Sequence, residues 1–118
     1  MKRSGCLSRS RPTVSVLDFS LDEIRDFLAT ALRGHDVENA YLVGSVASGT
    51  AGHWSDIDLV IIKNSDESFP DRPREFAGLF ELGVPVDILV YTPAEAARLD
   101  ANPTAFWQDI RKKRVRIV

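Results

Sequence analysis

Cysteine is nearly absent from this chain. Cys6 is the only one in 118 residues, so neither an internal disulfide nor a cysteine-ligated zinc site can form. Long apolar runs are missing too. No stretch approaches the roughly 18 residues that cross a bilayer, and Gly5-Cys6-Leu7-Ser8 offers no apolar core for a secretion signal. No membrane partner is expected, and a cytoplasmic location follows. Basic residues are scarce in the body of the chain. All 17 acids fall between residues 18 and 109, where only six of the 15 Lys and Arg lie, a net charge of −11. The other basic residues crowd the ends: Lys2, Arg3, Arg9 and Arg11, then Arg111, Lys112, Lys113, Arg114 and Arg116. An acidic body argues against broad nucleic-acid binding and against a truncated nucleic-acid polymerase. The terminal clusters read as a solvated tail and a soluble helix end. With 44% apolar residues the chain is no disordered protein, and its length fits one domain.

What is present is acid inside apolar runs. Ser55-Asp56-Ile57-Asp58-Leu59-Val60-Ile61-Ile62 and Val86-Asp87-Ile88-Leu89-Val90 read as buried strands. A carboxylate in such a place is costly unless a cation pairs with it. Asp56 and Asp58 are two residues apart and leave a strand by the same face; Asp87 joins them if the strands are neighbours. Three convergent carboxylates with no Lys or Arg interleaved point to a divalent metal, and oxygen-only ligands favour magnesium or manganese. An Asp-x-Asp pair alone is weak evidence. An EF-hand is excluded, because that loop needs polar residues and a glycine where Val60 and Ile61 stand.

Upstream, Ala40-Tyr41-Leu42-Val43 ends in Gly44-Ser45 and a run of small residues through Gly52. A strand that turns through Gly-Ser into a short helix presents free backbone N–H groups, which suit phosphate oxygens. A phosphate cradle beside metal carboxylates implies nucleoside triphosphate chemistry.

These elements together, Gly44-Ser45, a spacer, Ser55-Asp56-Ile57-Asp58-Leu59 and a later strand aspartate, resemble the nucleotidyltransferase superfamily that includes DNA polymerase beta. Over residues 20–118 the chain is similar to its minimal nucleotidyltransferases, often encoded beside HEPN-domain proteins as toxin–antitoxin pairs. The resemblance implies a metal-dependent enzyme that moves AMP from ATP, or another nucleotide from its NTP, to a hydroxyl of a HEPN-like partner protein. It further implies Asp56, Asp58 and Asp87 as catalytic residues and metal ligands, and Gly44, Ser45 and Ser55 as nucleotide-binding residues. Many minimal members carry Ala-Arg-Gly after the Gly-Ser, whereas here Ala47-Ser48-Gly49 stands, without that cation. The alternative expectation is therefore a non-catalytic or weakly catalytic nucleotide-binding antitoxin that acts by contact. Whether the chain forms a homo-oligomer is left open.

The rest of the chain supplies a frame. Residues 1–15 are expected to be a disordered basic tail, and 16–118 a single domain. Ser20 and Glu23 form a capping box before Ile24, Phe27, Leu28, Ala31 and Leu32, which recur at helical spacing until Gly34. Strands are expected over 39–43, 57–63, 85–91 and 115–118. Helices are expected over 73–82, from Pro93 behind the Thr92 cap, and from Thr104 after Asn102-Pro103. The alternation predicts an α/β (α+β) fold, nucleotidyltransferase-like, with a small mixed β-sheet and helices packed on one face. Phe76, Leu79, Phe80, Phe106 and Trp107 are core or interface residues in this reading. His53 and Trp54 are read as loop residues, one solvent-exposed and one packing locally.

Overall fold

The computed structural model describes residues 14–118; the expected tail falls almost wholly on residues outside that range. Local signals start the helices. Ser20 accepts from the Glu23 N–H at 3.1 Å, and Glu23 accepts from the Ser20 N–H at 2.8 Å, opening α1 (Leu21–Ala31). Strand β1 (Asn39–Val43) runs into the one-and-a-half-turn α2 (Gly44–Ser48), and β2 (Ile57–Ile62) follows a turn. Strand β3 (Val86–Tyr91) leads to α3 (Pro93–Ala101), capped by the same reciprocal device between Thr92 and Glu95. Helix α4 (Ala105–Lys113), capped by Thr104, and the short β4 (Val115–Arg116) end the chain. Val14 packs on the core and Ser15 is buried, its hydroxyl donating to the His53 carbonyl at 2.8 Å.

One expected helix takes a different form. Residues Phe69–Leu82 make 3-10 turns with a kink at Phe76, not a regular α-helix. Pro73 lies inside the segment and lacks the N–H that an α-helix would pair there, whereas Pro70 sits in the first turn, where no N–H is needed. The segment nonetheless buries Phe76 and Leu79 and carries the chain from β2 to the parallel β3.

The sheet order is β3-β2-β1-β4, with β1 antiparallel to both β2 and β4 and β2 parallel to β3. This is the small mixed sheet the sequence predicts. Its helical cover is not confined to one face, and that expectation is corrected. Ala40, Leu42, Ile57, Leu59, Ile61, Ile88 and Val90 meet α1 and the 3-10 segment through Ile24, Leu28, Phe76 and Leu79. The alternate residues Val43, Val60 and Ile62, with Tyr41, Leu89 and Tyr91, meet α3 and α4 through Leu99, Trp107 and Ile110. The physical reason lies in β2. Val60 and Ile62 are as apolar as their neighbours, so both faces of the strand need burial. Of the five large hydrophobic residues singled out, Phe76, Leu79 and Trp107 are buried, while Phe80 and Phe106 stay exposed.

Candidate functional site

On the second face, β2 and β3 each begin acidic and continue apolar. Parallel register sets Asp58 directly beside Asp87, then Val60 beside Leu89 and Ile62 beside Tyr91. Helix α4 covers the apolar portion and leaves the acidic ends at the bottom of a cleft of about 400 Å³. The near wall is the turn after β1, with Gly44, Ser45, Ser48 and Thr50; the far wall is α4, with Phe106, Asp109, Ile110 and Lys113.

Asp58 is the pivot. It is half-buried, pairs across β1 with Val43, and faces Gly44 closely. Burial, first, then the charges of Asp87 and Asp56, push its carboxyl above the usual carboxylate range; a hydrogen bond with Asp87 acts in the same direction. Among the described residues, no ion pair involves Asp56, Asp58 or Asp87. Negative charge is thus concentrated here with no ion pair among the described residues to offset it.

Gly44 is required twice over. Its φ is +73°, in the left-handed region, and a β-carbon there would overlap the Asp58 carboxylate. The N-terminus of α2 that follows has no side-chain cap, which leaves its first N–H groups available to a ligand. Ser45 lines the same cleft.

The remaining expected site residues lie apart from the cleft. Ser55 accepts from the Gly52 N–H at 2.8 Å and closes the loop ahead of β2. It and Asp56 line a separate depression with His53, Trp54 and Pro85. Asp56, exposed just before β2, reaches the cleft through its field on Asp58. His53 is half-buried rather than solvent-exposed, its ring meeting the exposed Trp54 edge-on with centroids 5.5 Å apart. The sequence reading missed Thr50 and the α4 wall. Phe106, Asp109 and Lys113 do recur at helical spacing, but spacing alone cannot say which face of the sheet their helix covers.

Carboxylate oxygens are donors that suit a hard divalent cation, and the Asp58 carboxyl is pushed toward its protonated form by burial and then by its acidic neighbours. Among the described residues no group of three or more His, Cys, Asp or Glu is arranged so that it could hold a metal ion.

A mixed sheet with in-register carboxylates beneath a glycine-led turn marks the nucleotidyltransferases as a class. The family model for the nucleotidyltransferase domain matches residues 21–118, and the chain belongs to that family, whose members generally use divalent metals. Among solved structures, it is similar to a toxin–antitoxin solved with AMP-PNP, with a TM-score of 0.59 and 22% identity over 80% of this chain and 72% of that one. It is also similar to a mutant of the toxin–antitoxin MntA–HpeT, with a TM-score of 0.54 and 20% identity over 85% of this chain and 73% of that one. A candidate nucleotidyltransferase from Sulfolobus solfataricus superposes with a TM-score of 0.53 and 20% identity over 81% and 77% of the two chains. No curated protein matches the sequence significantly. Among the described residues no helix is long and apolar enough to cross a membrane.

Proposed function

We propose that this protein transfers AMP from ATP to a hydroxyl group of a partner protein, in the cytoplasm, with magnesium or manganese as the cofactor. The observation that carries the reading is the side-by-side register of Asp58 and Asp87 beneath the close-approach glycine Gly44. The likeness to a toxin–antitoxin solved with AMP-PNP supports an adenine nucleotide and a protein partner, and the HEPN kind of partner rests on the sequence resemblance alone.

In this reading Asp58 and Asp87 would hold the metal in the cleft, Asp56 would assist from beside it through its charge on Asp58, and Gly44 and Ser45 would receive the outer phosphates. Ser55 acts at one remove, through the loop that positions Asp56. A divalent ion, when bound, neutralises charge on the α-phosphate and on the leaving pyrophosphate. Asp87, solvent-exposed within the cleft, accepts the proton of the acceptor hydroxyl. The acceptor oxygen bonds to the α-phosphorus as the bond to the bridging oxygen breaks, and pyrophosphate leaves. The chain's contribution is positioning and charge, which suits a domain this small.

Ser48 favours a second reading. Its hydroxyl turns to the Ser45 carbonyl at 3.3 Å and the Thr50 hydroxyl at 2.9 Å, and it carries no charge for a phosphate. A contact-only antitoxin needs none. Incubation with the product of the neighbouring gene, ATP and magnesium separates the two. Transfer predicts a mass increase of one or more AMP groups on the partner, abolished by Asp87→Asn with the complex intact. An unmodified partner that the Asp87→Asn variant still neutralises decides for the binder.

A further inference from the structure

We propose that Lys113 binds the polyphosphate of the nucleotide and supplies the positive charge that Ser48 does not. The proposal rests on the nucleotide-binding reading above and adds a residue to it. A triphosphate entering the cleft meets Asp58 and Asp87 on the floor. Even with a divalent ion between them, its outer phosphates remain strongly negative, and the small-residue turn offers only N–H dipoles and hydroxyls. Among the described residues, Lys113 is the one Lys or Arg that lines this cleft.

Its setting suits exchange. Lys113 projects from the last turn of α4, four residues after Asp109 and seven after Phe106, on the helix face that walls the cleft. Its partner Asp109 is 3.9 Å away, with the two side chains 61% and 70% exposed, so the ion pair is weak and easily traded for phosphate. Lys63, the other lysine of the sheet region, is turned away to Glu75 at 3.5 Å. A lysine also suits the task. Its ammonium is a point charge on a flexible stem and needs no fixed geometry to engage phosphate oxygens.

The test is titration of the full chain with MgATP and with AMP, comparing the parent, Lys113→Ala and Lys113→Arg. Lys113→Ala should weaken ATP binding roughly 10- to 100-fold, the range for a charge-assisted contact, with AMP affinity unchanged within about twofold. Lys113→Arg should restore most of the ATP affinity. If the parent binds MgATP and Lys113→Ala binds it equally well, the role of Lys113 is overturned while the nucleotide site stands. If ATP and AMP weaken together, Lys113 merely supports the fold of α4, and the proposal fails as well. A parent that does not bind MgATP overturns the nucleotide-binding reading itself.

Discussion

The two ends of β3 treat charge in opposite ways. At its C-terminal end Arg72 is only 8% exposed and is fully engaged. It donates to the Val90 carbonyl at 3.0 Å, to the Glu67 carbonyl at 3.0 Å, and to both Glu95 oxygens at 2.6 and 3.3 Å. Glu95 in turn closes the cap of α3. At the N-terminal end Asp87 and Asp58 lie side by side, and among the described residues neither makes an ion pair. The first cluster is a structural joint: it ties the 3-10 segment, β3 and α3 together, and every charge has its counterpart. The second is the candidate site, where the charges compete with one another as they do in clusters that a ligand resolves.

The largest expected effect breaks the unpaired end. Asp58→Asn should lower magnesium-dependent ATP affinity by at least about 100-fold, beyond the loss typical of an outer-sphere change, as read by calorimetry. The same variant should make the metal-free protein more stable once pH has risen past the ionisation of that carboxyl, because it removes a carboxylate that burial and its neighbours oppose. A loss of both binding and stability would sink the contrast.

Breaking the paired end should do the reverse. Glu95→Gln removes the counter-charge of a buried guanidinium and weakens a helix cap. It should cost about 1–3 kcal/mol in denaturant unfolding, while MgATP affinity stays within about twofold of the parent. The range allows for Glu95 itself being 29% exposed. A variant of parental stability would show that the pair contributes nothing net.

Proton linkage sharpens the comparison with the smallest effect. The hydrogen bonds from Arg72, first, then the Thr92 backbone, hold Glu95 down at about 2, against an ordinary 4.5. Its contribution is therefore complete above pH 4.5 and is lost as pH falls toward 2. Asp58 has the opposite sign. Its carboxyl lies above 3.8 in the folded chain, so the metal-free fold holds more protons than the unfolded chain there, and stability falls as pH rises through that interval. Unfolding followed against pH should show Glu95→Gln flattening the acid limb and Asp58→Asn removing the decline on the other side. Magnesium with ATP should also suppress that decline in the parent, by favouring the ionised carboxylate.

Local chemistry was legible because it acts over a few residues. The Ser20–Glu23 box, the Thr92 cap, the stop at Gly34 and strands near 39–43, 57–63 and 85–91 all follow from cap geometry and apolar patterning. The 3-10 course of Phe69–Leu82 escaped the periodicity, because Pro73 removes a donor without disturbing the apolar spacing that buries Phe76 and Leu79. The Arg72–Glu95 joint was invisible for another reason: its partners are 23 residues apart and neither stands in an apolar run.

By itself, then, the sequence determined the acids on their strands and the glycine ahead of them. Side-chain alternation commits Asp58 to the face opposite Leu59, and a carboxylate among Val and Ile demands a reason. Only the tertiary structure decided that β2 and β3 run parallel in the register that makes Asp58 and Asp87 neighbours, and that Gly44 meets Asp58 across β1. It alone brought α4 over the second face, making Lys113 and Phe106 the wall of the cleft. Such placements arise from burying two apolar faces at once, a condition on the whole chain that no local pattern carries.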